Sequence, residues 1–457
     1  MKKIILFFVL VSCTVGPDYQ RPIFFEDKEV AQILGLSQNK QVHAPFHLSD
    51  FHEAPLTRML TKTAEQNLDI GQALMRLRQA RAFLKKTSVQ NLPMVDIEAG
   101  YTYVKEPKSM PMLLKEDYYQ VGFDVNWELD IFGGGRRQTE QAESSYRGAQ
   151  EALKNVFVSV QAQLALAYMS LRMVQAQISL LQRNIKTQED LLHLVQKKYQ
   201  SGLETKLELE QAKYLLVETK AALPGLKAQE QVEKNTLALL LGNLPNTLNK
   251  ELASSHNIIL EPFLFDVNRV YDASVSLLRN RPDVRVAEEE LIGQNAAVGM
   301  AVAELFPKVN LSTFLGFQDN KVSSLLNHKS YTYHLLPGVS TPLFHWGVLR
   351  QNIILQKEMK EEKLLAYEKA LLTAVHEVKN AYVELDQDLK THDLKHQSLS
   401  HLQQVYQLTY DKYTGGLISF SEVLTAFQNL IAGQRELVQA THALYQDLIH
   451  IYKALGG

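Results

Sequence analysis

The chain has 457 residues, a formal net charge of −2 and 21% charged residues. That balance excludes a basic nucleic-acid binder, and no basic patch with interleaved aromatics appears. Beyond the N-terminus no apolar run reaches the roughly 18 residues of a transmembrane helix, so a membrane role would have to come from strands or a lipid.

The first residues supply the lipid. Met1-Lys2-Lys3 is a positive start, Ile4 to Val11 is apolar, and small Ser12 leads to Cys13, the single cysteine of the chain. A lone cysteine cannot staple a fold, and one placed after a signal-like run reads as a chemical handle. The pattern resembles a bacterial lipoprotein signal, with residues 1–12 removed and Cys13 acylated. An ordinary secretory signal cut nearby and an uncleaved anchor are the alternatives. One acyl chain holds only marginally, so other membrane contacts are expected. Residues 13–66 form an N-terminal segment whose His43, His47 and His52 read as surface residues with no shared role.

From Asn67 the chain says nearly the same thing twice. Asn67 to Ile97 returns as Arg281 to Leu311, Asp69 facing Asp283 and Pro93 facing Pro307, a displacement of roughly 214 residues that fits a duplicated domain. The expected organisation is a first repeat over 67–241, a connecting segment over 242–280 and a second repeat over 281–457, each with a helix, two strands and a long helical hairpin.

The strands show as period-two stretches. Val95, Ile97, Ala99, Tyr101 and Tyr103 alternate with Asp96, Glu98 and Thr102; Tyr119, Val121, Phe123, Val125, Trp127 and Leu129 alternate with Gln120, Asp124, Asn126 and Glu128. The second copy is softer, with Val309, Leu311, Leu315 and Phe317, then Tyr331, Tyr333, Leu335 and Val339. Strands of about 9 to 11 residues with opposed apolar and polar faces suit an outer-membrane barrel, and a soluble sheet packed on helices reads equally well. Four strands cannot close a barrel, which needs about eight, so several chains would have to contribute. Tyr101, Tyr103, Tyr118, Tyr119, Trp127, Tyr331 and Tyr333 would suit the aromatic girdles of a bilayer.

Between Gly148 and Gly202, and again between Gly347 and Gly415, there is neither Gly nor Pro. In the first run Leu153, Val156, Val160, Leu164, Ala167, Leu171, Val174, Ile178, Leu181 and Ile185 alternate steps of three and four, the period of coiled-coil packing. A helix of some 65 residues reaches on the order of 100 Å. Both runs end at Tyr-x-x-Gly-Leu, where Gly202 and Gly416 can take the left-handed conformation that closes a helix. Return helices are expected over Lys206–Leu241 and Ser421–Leu455, with Pro224-Gly225 kinking or breaking the first.

Few residues invite chemistry. His392 and His396 stand four apart, but no glutamate follows the first as a zinc protease requires. Gly133-Gly134-Gly135 lacks the lysine and Ser/Thr of a phosphate loop and reads as a strand-to-helix turn. Glu98, Asp124 and Glu128 fit a wetted strand face. No catalytic or metal constellation emerges, so neither an enzyme nor a cofactor is expected, apart from a covalent lipid on Cys13.

Cys13-Thr-Val-Gly-Pro-Asp-Tyr-Gln-Arg-Pro22, Trp127-Glu-Leu-Asp-Ile-Phe-Gly133, Leu223-Pro-Gly-Leu-Lys-Ala-Gln229, Leu239-Leu-Leu-Gly-Asn-Leu-Pro245, Arg281-Pro-Asp283 and the two Tyr-x-x-Gly-Leu turns follow in order along the chain. Together they resemble the outer-membrane efflux factor family, the TolC-like channels, in its lipoprotein branch. The resemblance implies a mainly α fold with a transmembrane β-barrel portion: a homotrimer whose twelve strands continue into a periplasmic helical tunnel, belted by the connecting segments. It implies passive export driven by an inner-membrane pump, of the RND type, through a periplasmic adaptor. It implies an inner tip narrowed by acidic residues after the second Gly-Leu turn. The matching positions are Glu422 and Thr425, with Glu208 and Gln211 at the equivalent places in the first repeat. Tyr413 matches a tyrosine that helps to hold the closed tip, and Ile418 stands where some members carry an arginine. A type I secretion duct and a periplasmic coiled-coil scaffold are the competing readings.

Overall fold

The computed structural model describes residues 14–34, 46–103, 117–249, 252, 258–260, 265 and 275–457; Cys13, the signal segment and His43 lie outside the described residues. Three helices, α1 (Asp27–Leu34), α2 (Ala54–Gln66) and α3 (Leu68–Gln90), precede strands β1 (Met94–Thr102) and β2 (Tyr118–Leu129). The long helix α4 (Gly134–Gln200) and its return α5 (Lys206–Leu240) complete the first copy. After α6 (Val275–Asn280), the order repeats as α7 (Pro282–Ala303), β3 (Lys308–Asp319), β4 (Tyr331–Ser340), α8 (Val348–Thr414) and α9 (Phe420–Leu455). The long helices α4 and α8 both have 67 residues. Gly133 and Gly347, at φ +82° in each copy, immediately precede them.

Two compact units divide the chain across the repeats. One comprises Met1–Ile23, Met75–Glu151 and Arg285–Lys369; the other comprises Phe24–Leu74, Ala152–Val284 and Ala370–Gly457.

The first unit holds the sheet, antiparallel throughout in the order β1-β2-β3-β4. Its register joins the strand pairs of the two repeats and segregates their side chains. Ile97, Phe123, Leu315 and Tyr333 form one cross-strand row, Ala99, Val121, Phe317 and Tyr331 the next, on one apolar face. Ile97 is 74% exposed and Tyr333 72%. Each large side chain left in water would forgo about 1.5–3 kcal/mol of burial, so a face this continuous belongs against something apolar. The opposite face carries Asp96, Glu98, Asp124 and Glu128, with Asp96 directly across from Asp124. Lys308 reaches Glu128 at 3.7 Å. Tyr118 pairs with Thr102 on this polar face, which removes it from the apolar girdle expected from sequence.

One close approach fixes the β2–β3 pairing. Phe314, though on the polar face, is buried and stacks on His334 at 5.4 Å between ring centres. Its ring tip lies over paired Gly122 and Gly316, where an added Cβ on Gly122 would meet Gly316 Cα at 2.6 Å and Phe314 Cζ at 2.7 Å. Gly122→Ala is therefore expected to destabilise the sheet by about 3 kcal/mol. Denaturant titration against Gly71→Ala, where an added Cβ meets nothing within 4 Å, is the check.

In the second unit the lower parts of α4 and α8 pack with α5 and α9. Leu164, Leu171 and Val174 are fully buried on α4, and Leu444, Leu448 and Ile451 on α9, at the spacings of packed helices. One stretch of α4 is apolar enough to pass as a membrane span, contrary to the sequence reading, but half of it is buried within the fold. An aromatic cluster of Phe46, Phe51, Phe265, Tyr445 and Tyr452 packs edge to face beside these helices.

Pro224 does not break α5, which runs unbroken from Lys206 to Leu240. Pro224 and Gly225 are exposed, so the carbonyl that proline leaves unbonded turns to water instead of a dry core.

Arg281-Pro282-Asp283 forms a latch in this unit. Pro282 opens α7, where its missing N–H costs nothing. The buried Arg281 guanidinium donates to both Asp283 oxygens at 3.1 and 2.7 Å, to Glu377 on α8 at 2.6 Å and to the Ala454 carbonyl on α9 at 2.8 Å. Burial alone would raise the Asp283 carboxyl, but the guanidinium outweighs it and holds it below the usual range.

Candidate functional site

The residues proposed for the inner tip come together where four helices of the second unit end or begin. Leu191, Val195, Leu209, Ala212, Tyr413, Phe420 and Val423 form one buried cluster, with Ile418 and Leu424 packed on it. Both turns have the same geometry. Gly202 (φ +74°) donates to the Tyr199 carbonyl and Leu203 to Lys198; Gly416 (φ +76°) donates to Tyr413 and Leu417 to Lys412. These are paired Schellman closures, each needing a residue comfortable at positive φ.

The helix starts that follow differ. Thr205 and Glu208 form a capping box, in which the Glu208 carboxylate accepts from the Thr205 amide at 2.8 Å and hydroxyl at 2.6 Å. The hydroxyl and then the amide hold the Glu208 carboxyl below its ordinary range. Glu422 holds the same position in α9, but Ser419 reaches it only at 3.5 Å and also bonds Ser421. Glu422 and Thr425 are exposed, and the Thr425 hydroxyl donates back to the Ser421 carbonyl. Gln211 lies half-buried one turn into α5. Glu208 is thus committed to its own helix, whereas the exposed Glu422 carboxylate has only the long contact from Ser419.

Tyr413 is buried at 1% exposure. The Lys198 ammonium, from the other hairpin, sits 3.8 Å from the centre of its ring and donates to its carbonyl at 2.6 Å. Burial, and then the Glu204 carboxylate, push the Tyr413 hydroxyl well above its usual pKa, so it stays protonated. Ile418 packs against the apolar cluster, and the cation beside the Tyr413 ring is Lys198. Thr205-x-x-Glu208 and Ser419-x-x-Glu422 both match the capping-box pattern, which only the first forms; nothing in the sequence pointed to Lys198.

In the first unit, the residues that follow Cys13 are strapped to the strand-to-helix junction. Val15 donates to the Phe132 carbonyl at 3.1 Å, and buried Arg137 binds the Val15 and Gly16 carbonyls and Asp18. Asn295 donates to the Pro17 carbonyl, and Gly16 lies against Gly299 so closely that a Cβ there would meet Gly299 Cα at 2.5 Å. The turn read at Gly133 is therefore also a seat for the strap, where Thr14 packs.

A four-stranded antiparallel sheet with an exposed apolar face, together with two helices of 67 residues, is the architecture expected of a channel-forming outer-membrane protein. The chain belongs to the family described as outer membrane efflux protein, which matches residues 59–243 and 273–457. It is similar to the cation efflux system protein CusC of Escherichia coli (strain K12), 26% identical over 455 residues that cover 98% of this chain and 97% of that protein. It is also similar to a probable outer membrane lipoprotein, SilC of Salmonella typhimurium, 25% identical over 460 residues, covering 98% and 96%. The solved structure of the outer-membrane channel OprN matches with a TM-score of 0.89 at 28% identity, covering 97% of this chain and 99% of that one. The protein is an outer-membrane channel of an efflux system and not an enzyme, which sets the scaffold reading aside.

Proposed function

We propose that three copies of this chain close into a twelve-stranded barrel and act as the passive exit duct of a tripartite pump. A periplasmic adaptor and an inner-membrane pump of the RND type would drive it. The observation that carries this reading is the pair of open edges. Among the described residues β1 and β4 each pair on one side only, and with four alternating strands the β4 edge of one copy meets the β1 edge of the next antiparallel. The apolar face then meets lipid and the acidic face lines the water. Tyr101, Tyr119, Tyr331 and Tyr333 cluster along one end of the apolar face, with Tyr101 and Tyr119 rings 4.7 Å apart. Exposed Phe344 and Trp346 follow the end of β4 and suit an interfacial belt. Cys13 carries the lipid in this reading, supported by the likeness to a lipoprotein and by the strap that ties the next residues to the end of β2.

At the inner tip, a ring of Glu422 carboxylates selects cations, and Tyr413 with Lys198 holds the tip closed. Planar-bilayer recordings test both the duct and the ring. The protein is expected to run as a heat-modifiable trimer and to conduct, and Glu422→Gln to lower cation over anion permeability severalfold, with Glu208→Gln changing it little. A monomer without conductance would sink the duct; unchanged selectivity in Glu422→Gln would sink the ring alone.

A further inference from the structure

Two turns along both helices from the Arg281 latch, α8 and α9 face each other with a different set of side chains. Glu384 and Asp388 stand four apart on α8, and Asp447 and His450 stand three apart on α9, spacings that put each pair on one helical face. One ligand atom each from Glu384, Asp447 and His450 lie within 4.8 Å of one another. Asp388 is close enough to Asp447 to act on its carboxyl.

Asp447 is 6% exposed, and its Oδ2 has no hydrogen-bond partner. A buried carboxylate oxygen left without a donor is costly, and here the neighbours are two further acids and one imidazole, none of them hydrogen-bonded to that oxygen. Among the described residues no lysine or arginine pairs with Glu384 or Asp447. A small cation at the point where the three ligand atoms converge would compensate the Asp447 carboxylate. The donor set narrows its class. Calcium and magnesium take oxygen ligands, whereas one imidazole with carboxylates, and helix-borne acid and histidine three apart, suit a first-row divalent metal such as Zn2+. Ligand bonds of about 2.0–2.2 Å bring such atoms somewhat closer together than they stand here, a movement within the reach of the exposed Glu384 and His450 side chains.

We propose that Glu384, Asp447 and His450 form a divalent transition-metal site between α8 and α9, with Asp388 beside it. The ion neutralises the buried carboxylate and ties the second hairpin together at a level distinct from the inner tip. The site does not depend on the reading proposed above. Sequence reading passed over it because its ligands lie on two helices about 60 residues apart, with neither half matching a metal motif by itself.

The test uses the full chain in detergent, stripped with a chelator and titrated with Zn2+ alone. Bound metal is counted by mass spectrometry, and Co2+ is substituted as a spectroscopic probe of the ligand field. One Zn2+ per chain is expected, with visible Co2+ bands that sharpen as ligands replace water. Asp447→Asn and His450→Ala should each weaken binding at least tenfold; His450 is exposed, so its variant is expected to fold even where Asp447→Asn does not. Absence of stoichiometric Zn2+ would overturn the site and leave a shared proton to relieve Asp447. Zn2+ bound equally well by His450→Ala would overturn it too, placing the ions elsewhere, such as on the acidic face of the sheet.

Discussion

Arg281→Ala is expected to lower the unfolding free energy by about 1.5–3 kcal/mol, the scale of hydrogen bonds to charged groups, because the guanidinium is buried while its carboxylate partners are partly exposed. The guanidinium holds four acceptors at once: both oxygens of Asp283, one of Glu377 and the last-turn carbonyl of Ala454. Its loss leaves the half-buried Asp283 carboxylate and the C-terminal end of α9 without their shared partner. Arg281→Lys should recover only part of the loss, because an ammonium cannot match the planar fork to a carboxylate. The dependence on acid follows from Asp283. Its carboxyl is held below the ordinary value in the fold, so the contribution is complete above pH 4 or so and disappears as pH falls further. Denaturant unfolding at pH 7 and pH 3 should show the wild type and Arg281→Ala converging on the acid side. An Arg281→Ala protein as stable as wild type at pH 7 would refute the latch.

Lys198→Met is expected to open the inner tip. The ammonium makes a charge-assisted hydrogen bond, worth about 1.5–3 kcal/mol, and a cation–π contact of roughly 0.5–2 kcal/mol, and the two are not additive. A net loss of about 2 kcal/mol shifts a closed-to-open equilibrium roughly thirtyfold. Methionine keeps an unbranched side chain of similar length and removes the ammonium with both of its contacts. Single-channel conductance should rise severalfold in Lys198→Met and stay near wild type in Lys198→Arg. Equal conductance in all three would show that the contact holds the turns together without gating them.

The parts legible from sequence were those governed by local rules. Long stretches without Gly or Pro gave helices whose lengths agree, because nothing in them could terminate a hydrogen-bonded ladder. Strict alternation around Phe123 gave a strand, because period two has no helical solution. The errors came where tertiary setting outweighed local preference. Exposed Pro224 sits in a helix that water can relieve, and Tyr118 falls on the polar face because register, not residue type, assigns the side. Lys198 was illegible for a different reason. Its partner lies 215 residues away, at the matching turn of the other repeat, and no short motif records a contact of that span.

The sheet's two unpaired edges also bear on inheritance. A backbone edge left open in hydrocarbon costs several kcal/mol for each unsatisfied group, so a ring one strand short of closure has no stable place in the bilayer. In the proposed trimer each subunit would therefore hold a veto over the other two. Co-expressing a chain whose β4 edge is spoiled, by a proline at Thr332 for instance, should poison assembly well beyond that chain's share of the pool. In a protein of this design, a defective allele would behave as dominant.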